Sequence, residues 1–151
     1  MNRECIRKAC KEDASRIAEI EIFNYRLYFY PIFKSDEFYF EELQVCSEAE
    51  ALAADTERLN RTYVYDDGAV KGFIRMNGEE VEKLFVEPVL HGQHIGEALL
   101  KYVMEERGAA WLWALEKNTG AIRFYERHGF KKTDIRKLEE ETTEYLVRME
   151  L

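Results

Sequence analysis

Residues 86–100 read VEPVLHGQHIGEALL and decide how the rest of the chain is interpreted. A β-rich run ends at Val86, a compact loop follows, and apolar residues at helical spacing begin at Ile95. The first N–H groups of a helix have no partner inside it and form the positive end of its dipole, so they bind phosphate groups well. Gly92 and Gly96 would let such a ligand approach the backbone closely. Residues 86–100 therefore predict either a phosphate-binding turn or an ordinary loop between a strand and a helix.

The residues before this turn predict an antiparallel meander of three strands. Residues 61–65 are β-rich and end at a good hairpin turn, Asp66-Asp67-Gly68. Residues 69–76 form the next strand, and a second hairpin signal, Asn77-Gly78, leads into the strand at 79–86. The chain therefore reaches the turn at 86–100 from the last strand of a meander.

The whole chain predicts a mixed α/β fold. Before the meander, the sequence predicts a strand at 5–8, a helix that begins at 11–15 and a second helix at 49–59. After the meander, it predicts a helix at 95–108, a strand at 110–115, a helix at 121–127 and strands near 130–133 and 143–149. This order predicts a single domain over residues 1–151, with a mostly antiparallel sheet of six to seven strands flanked by about four helices. The strand–helix–strand unit around the turn is expected to be a parallel crossover, and ligands bind such sheets where neighbouring strands diverge.

Composition excludes several classes of protein. A chain of 151 residues, 46% of them hydrophobic, can bury a core without a disulfide or a metal ion. The formal net charge of −8 disfavours nucleic-acid binding. The three cysteines form no CxxC pair and no Cys/His cluster has metal-ligand spacing, so no metal site is expected. The charged start and the absence of a long apolar stretch predict a cytoplasmic protein with no membrane association.

A second motif, NTGAIRFYERHGF, spans residues 118–130. Together with the turn at 86–100, it resembles the motifs of the GNAT superfamily of N-acetyltransferases. In that family a hydrophobic-x-Val strand end precedes a Gln/Arg-x-x-Gly-x-Gly/Ala loop, and Asn-x-x-Ala-x-x-Phe-Tyr-x-x-x-Gly-Phe follows later. The matching residues are Leu84, Val86, Gly92, Gly96, Asn118, Ala121, Phe124, Tyr125, Gly129 and Phe130. The chain departs at His91, where the family usually has Gln or Arg, and at His94, where it has glycine. The resemblance covers the element order of the whole chain.

The resemblance implies that the chain binds acetyl-CoA as its acyl donor. The backbone of Leu84 and Val86 would pair with the pantetheine arm, the amides of residues 91–96 would hold the pyrophosphate, and the Val86 amide would polarise the thioester carbonyl. The implied cofactor-binding residues are Leu84, Phe85, Val86, His91, Gly92, Gln93, His94, Ile95, Gly96, Glu97, Asn118, Ala121 and Phe124. The alternatives are a solvated loop position for His91 and His94, and a helix N-cap for Asn118.

Three residues are candidates for the chemistry. Tyr125 matches the tyrosine that protonates the leaving thiolate in the family, and a phenol is protonated at neutral pH; core packing is the alternative. Strand alternation predicts that Glu80 and Glu82 share one face with Leu84 and Val86, where family members often place a base that acts through water. Two neighbouring carboxylates would raise each other's pKa. The alternative is a solvated strand face, and the choice between the two glutamates stays open.

The acceptor side is indicated by residues 23–40, which we call the aromatic segment because it contains nine aromatic residues. It predicts either a pocket for an ammonium group or an ordinary core and homodimer contact. Residues 36–58 contain eight acids and one base, Arg58, which favours a cationic acceptor. We therefore expect direct acetyl transfer to a primary amine of a small molecule, peptide or protein in a ternary complex. The alternatives are transfer of a longer acyl group and a non-catalytic acyl-CoA-binding or interaction domain of the same fold.

Overall fold

A computed structural model describes residues 3–151, which form one seven-stranded sheet. The strands are β1 (Ile6–Lys8), β2 (Thr62–Asp66), β3 (Val70–Asn77), β4 (Glu80–Val86), β5 (Trp111–Leu115), β6 (Lys131–Leu138) and β7 (Tyr145–Glu150). Their order across the sheet is β1-β2-β3-β4-β5-β7-β6, and only β4 and β5 are parallel. The predicted mostly antiparallel sheet and its one parallel crossover are confirmed.

Six helices flank the sheet, rather than the four or so expected. They are α1 (Ala14–Asn24), α2 (Tyr30–Phe33), α3 (Val45–Ala53), α4 (Thr56–Asn60), α5 (Ile95–Glu106) and α6 (Thr119–Arg127). The aromatic segment adds α2 and two π-helical stretches, Tyr25–Phe29 and Glu37–Glu42. The prediction of a single helix at 49–59 was wrong, because this part of the chain forms two helices, α3 and α4. The Asp55 carboxylate accepts a hydrogen bond from the backbone N–H of Arg58 at 3.0 Å and so caps the start of α4.

The two faces of the sheet carry separate apolar clusters. Ile20 of α1 and Leu52 of α3 pack on one face with Phe73 of β3. The next residue of β3, Ile74, points to the other face and packs in the cluster formed with α5 and α6. The sheet is thus covered on both sides, as its apolar strands require. Within the described part of the chain, no helix has the length and apolar character needed to span a bilayer.

The position of the site follows from the separation of β4 and β5. These strands pair only at Glu80 with Trp111 and at Val81 with Leu112, after which they diverge. The carboxyl end of β4 is left open toward α5 and α6. The predicted opening at the carboxyl ends of neighbouring strands is therefore present.

Candidate active site

A cavity of about 810 Å³ lies in the gap at the end of β4, bounded by the aromatic segment, the loop before α5, and α6. All predicted cofactor-binding residues except Gln93 line it, as does Tyr125. The residues from the prediction that the structure brings together here are Leu84, Phe85, Val86, His91, Gly92, His94, Ile95, Gly96, Glu97, Asn118, Ala121, Phe124 and Tyr125. Glu80 and Glu82 are not part of this wall.

The backbone at the end of β4 is oriented toward the gap. Glu87 donates its N–H to the carbonyl of Lys71 at 2.9 Å, so residues 85 and 87 are the ones that bond to β3. Because hydrogen-bonding direction alternates along an antiparallel strand, the N–H and C=O groups of Leu84 and Val86 point away from β3. An extended ligand in the gap could therefore add to β4 as a further strand.

The loop before α5 has the backbone shape of an anion-binding turn. Gly92 adopts φ +87° and His94 adopts φ +66°, both in the left-handed region that favours glycine. The family has a glycine at the position of His94, and the left-handed backbone supplies the reason for it. A Cβ on Gly96 would lie 3.6 Å from atoms of Val86 and Phe124, which is an ordinary van der Waals contact, so the packing of α5 on β4 does not require glycine here.

One carboxylate lies at this end of the cavity. Glu97, in the first turn of α5, accepts hydrogen bonds from Lys101 at 2.8 Å and faces Nδ1 of His94 at 3.2 Å. These contacts lower the pKa of Glu97 to about 2. His128 lies close by, with Nε2 3.9 Å from Glu97 and Nδ1 2.9 Å from the carbonyl of Phe124. The turn therefore combines N–H groups that attract an anion with a negative charge that repels one.

The side chain of His91 contacts the end of β4 and the aromatic segment. Its Nε2 lies 2.9 Å from the carbonyl oxygen of Val86, and its Nδ1 lies 3.2 Å from the hydroxyl of Tyr28. A carbonyl only accepts, so Nε2 carries a proton and donates it to Val86, while Nδ1 contacts a hydroxyl that can either donate or accept. The ring of His91 is exposed, as the solvated-loop alternative expects, and it also has two hydrogen-bond partners.

Asn24 is a site residue that the sequence reasoning missed. It is 3% exposed, and its Nδ2 donates to the carbonyl of Ile20 at 2.8 Å and to the carbonyl of Val86 at 2.9 Å. It also lines the cavity. One signal in the sequence could have identified it: Asn24 is a polar residue that lies four positions after Ile20, on the face of α1 that is otherwise apolar and buried.

Tyr125 and Asn118 are both contributed by α6 or its start. Tyr125 is half-buried in the cavity wall, and burial raises the pKa of its phenol above the ordinary value. In residues 3–151 no protein group hydrogen-bonds to its hydroxyl, so that group is free to face a ligand. Asn118 accepts a hydrogen bond from the backbone N–H of Ala121 at 3.3 Å, so the N-cap alternative is realised while its side chain still lines the cavity.

The predicted face of Glu80 and Glu82 was wrong. A β-bulge interrupts the register between β3 and β4, where Arg75 pairs with Lys83 but Met76 pairs with Val81. Val81 consequently packs in the same apolar cluster as Leu84 and Val86, and Glu80 points to the opposite side. The extra residue, Glu82, forms an ion pair with Arg61 at 3.2 Å.

The surroundings of Glu80 raise the pKa of its carboxyl group. Burial raises the pKa of Glu80, the negative charge of Glu82 raises it further, and the charges of Lys137 and Arg148 oppose both effects. The expected mutual effect of the two glutamates on their pKa values is therefore seen at Glu80. Its position means that any proton transfer to the gap would pass through water.

The aromatic segment closes one side of the cavity. Tyr28 and Phe29 line it, and Phe29 packs edge-on against Phe85 with ring centroids 6.2 Å apart. Behind this wall, Lys83 donates to the hydroxyl of Tyr25 at 2.7 Å and pairs with the buried carboxylate of Glu21. The sequence reasoning missed this cluster, because a charged pair 62 positions apart along the chain has no local signal.

The acidic stretch at 36–58 is partly neutralised. Arg58 pairs with Glu48 at 3.0 Å and with Asp55 at 3.4 Å. Tyr39, in the aromatic segment, lies near Glu139 of the β6–β7 turn, and burial together with that charge raises its pKa to about 12. Part of the charge of this stretch is therefore compensated, and one further acid, Glu139, lies near the aromatic segment. No group of three or more His, Cys, Asp or Glu side chains within residues 3–151 could hold a metal ion.

Comparisons with known proteins give a consistent result. The family model described as an acetyltransferase (GNAT) domain matches residues 58–132. The peptidyl-lysine N-acetyltransferase YjaB of Salmonella typhimurium is 34% identical over 70 residues, which are 46% of this chain and 48% of that protein. YiaC of Escherichia coli, with the same description, is 36% identical over 70 residues and the same shares of both chains. The chain thus matches about half the length of these curated relatives.

The fold is shared with solved structures over nearly its full length. The PaiA N-acetyltransferase of Thermoplasma acidophilum, solved in complex with coenzyme A, superposes with a TM-score of 0.72 and 20% identity. That match covers 97% of this chain and 98% of the other. It therefore extends the likeness of fold beyond residues 58–132 to both ends of the sheet.

Proposed function

Because the chain belongs to the GNAT superfamily of N-acetyltransferases, we propose that it transfers an acetyl group from acetyl-CoA to a primary amine. The observation that carries this proposal is the gap between β4 and β5, into which the backbone groups of Leu84 and Val86 point. An extended amide chain fits such an edge, since it supplies the donors and acceptors that a neighbouring strand would supply.

The residues present fit acetyl-CoA. The cavity of about 810 Å³ runs from β4 to the start of α5, so it can hold the pantetheine arm at one end and the phosphates at the other. The left-handed backbone at Gly92 and His94 leads into the N–H groups that begin α5. Acetyl-CoA supplies an activated acetyl thioester at this site.

Each chemical task has a proposed residue. The Val86 N–H donates to the thioester carbonyl oxygen and stabilises its developing negative charge. The amine attacks the carbonyl carbon, the C–N bond forms, and the C–S bond breaks. The amine's proton passes through water to Glu80, and the phenol of Tyr125 gives its proton to the departing sulfur. Burial, together with the negative charge of Glu82, raises the pKa of Glu80 above its ordinary value, which favours its role as the base.

The proposed acceptor is an amine of a peptide or protein, with a small cationic amine as the other candidate. The names of YjaB and YiaC as peptidyl-lysine N-acetyltransferases support the former. The aromatic rings that line the cavity and the charge of Glu139 near Tyr39 support a positively charged acceptor. The exposed rings of Phe38 and Phe40 support a homodimer contact, and the free thiols of the cysteines support a reducing, cytoplasmic location.

One observation favours the second candidate, a non-catalytic acyl-CoA-binding domain. The carbonyl of Val86 already has two side-chain donors, so the edge of β4 is not fully open. Binding without turnover would be the result if this edge stayed closed to the reactive part of the ligand.

Thermal unfolding with acetyl-CoA tests the proposal, followed by turnover. At 100 times its Kd a ligand adds about 2.7 kcal/mol, which shifts the Tm by about 5 to 10 °C in a domain of this size. Adenosine 3′,5′-bisphosphate is the control for phosphate binding alone. Thiol release with a lysine peptide distinguishes the two candidates: release supports the enzyme, binding without release supports the binding domain, and no shift contradicts both.

A further inference from the structure

The carbonyl oxygen of Val86 is saturated with hydrogen-bond donors. Asn24 Nδ2 and His91 Nε2 each lie 2.9 Å from it. A carbonyl oxygen has two lone pairs, and two donors occupy both. Yet this oxygen belongs to the part of β4 that faces the gap, where a ligand amide would need it as an acceptor. An amide N–H can therefore reach Val86 only after one donor leaves.

The two donors are not equally held. Asn24 is 3% exposed and is fixed by a second hydrogen bond to Ile20 within α1. His91 is exposed and lies in the loop between β4 and α5. Moving Asn24 would break two buried hydrogen bonds, whereas His91 can exchange its partner for water. His91 is therefore the donor that a ligand displaces.

Displacement of His91 would also affect the acceptor side. The ring of His91 stacks on the ring of Tyr28, with centroids 5.5 Å apart and planes 11° from parallel, and the Tyr28 hydroxyl lies 3.2 Å from Nδ1. Tyr28 is 42% exposed and belongs to the aromatic segment. The pair thus bridges the mouth of the cavity, with His91 on the cofactor loop and Tyr28 on the opposite wall.

We propose that His91 and Tyr28 form a latch over the end of β4, which the pantetheine part of CoA opens by taking the place of His91 on the Val86 carbonyl. The latch rests on the proposed function, since it assigns β4 to the pantetheine arm. Opening separates His91 from Tyr28, so binding of the acyl donor frees the aromatic segment for the acceptor. His91 and Tyr28 are positioning residues in this scheme, and they couple the two substrate sites.

The experiment measures the affinity for S-acetylpantetheine, which lacks the phosphates and so reports on β4 alone. Removing one competing hydrogen bond in His91→Ala is expected to tighten binding by about three- to tenfold. Tyr28→Phe keeps the stacked ring but loses the hydroxyl, and is expected to tighten binding by about two- to threefold. Tyr30→Phe is the matched control, because this hydroxyl of the same segment contacts Asp36 instead and should leave the affinity unchanged.

A spectroscopic readout separates the latch from a general effect on the loop. Ring ¹⁵N spectra should show the Nε2–H form of His91 in the free protein, and its resonances should shift when CoA saturates the wild type. CoA binding with an unmoved His91 signal, or weaker S-acetylpantetheine binding in His91→Ala, would overturn the latch and leave the proposed function standing. Failure of the wild type to bind CoA at all would overturn the proposed function and the latch with it.

Discussion

Asn24 Nδ2 lies 2.9 Å from the carbonyl oxygen of Val86, and this hydrogen bond ties the C-terminal end of α1 to the end of β4. The same nitrogen donates to Ile20 one turn earlier in α1. The orientation of the Val86 peptide group, on which the proposed polarisation of the thioester depends, is therefore set from the helix on the opposite side of the sheet from α5.

Replacing Asn24 should weaken both the fold and the proposed reaction. Asn24→Ala removes two buried hydrogen bonds and is expected to lower the free energy of unfolding by about 1 to 3 kcal/mol. Asn24→Asp should lower the free energy of unfolding further. A carboxylate cannot donate a hydrogen bond, and its oxygens would be repelled by the carbonyl oxygens of Ile20 and Val86. Urea unfolding measures both, with the exposed Gln44→Ala as a control expected to stay within about 0.5 kcal/mol of wild type. An Asp variant as stable as wild type would contradict the hydrogen bonds described.

Tyr125→Phe tests the proposed proton donor. Because burial raises the pKa of Tyr125, its phenol stays protonated throughout the neutral range, and we expect kcat to fall about 10²-fold without it. The Kd for acetyl-CoA should change little, since only the hydroxyl is lost. Tyr102→Phe, on the far side of α5, is the control for loss of a phenol. Equal kcat values for Tyr125→Phe and wild type would remove Tyr125 from the mechanism.

The pH dependence of kcat/KM distinguishes the two glutamates. Glu80→Gln should lower kcat/KM about 10²-fold and abolish the acid limb of the profile. Glu82→Gln removes a negative charge that raises the pKa of Glu80, so the acid limb should move to lower pH while activity is retained. If the limb disappears in Glu82→Gln and persists in Glu80→Gln, the roles are reversed. An unshifted limb in both variants would mean that neither carboxylate is the base.

Glu97 should oppose binding of the CoA phosphates. Its pKa of about 2 keeps it ionised at the start of α5, so Glu97→Gln is expected to tighten CoA binding by about two- to fivefold at low salt. The gain should shrink as salt is raised and should be absent for S-acetylpantetheine. Isothermal titration measures each affinity, and Glu105→Gln near the other end of α5 is the matched control. Weaker CoA binding in Glu97→Gln would show that the carboxylate helps to build the site.

A glycine pair tests the packing of α5 against β3. A Cβ on Gly72 would meet the backbone oxygen of Phe85 at 3.1 Å and side-chain atoms of Ile95 and Leu99 at 3.3 Å. Gly72→Ala should therefore destabilise the protein by about 1 to 3 kcal/mol. Gly120→Ala, in the first turn of α6 with open space around its Cβ, should instead stabilise it by about 0.5 to 1 kcal/mol. Urea unfolding of both variants checks the contrast in sign.

Local signals were sufficient for most of the fold, whereas the resemblance to the GNAT family supplied the residues expected to bind the cofactor. Hairpin signals at Gly68 and Gly78 lie at left-handed positions, and apolar spacing from Ile95 predicted α5. Val86 and Tyr125, which belong to the two motifs, line one cavity, as the fold implied by the resemblance leads one to expect. The number of helices was less predictable, since Asp55 looks like an ordinary helix residue until its carboxylate is seen to cap α4.

The amino-acid sequence alone thus determined the order of the elements along the chain, the crossover between β4 and β5 and the glycine-containing turn, all of which depend on periodicity and local backbone preference. Only the tertiary structure decided which side chains share the site. The bulge opposite Arg75 turned Glu80 to the other face, and distant packing placed Asn24 and His91 on the carbonyl of Val86. Strand register and long-range hydrogen bonds depend on partners far along the chain. They therefore cannot be predicted from the local periodicity of the sequence.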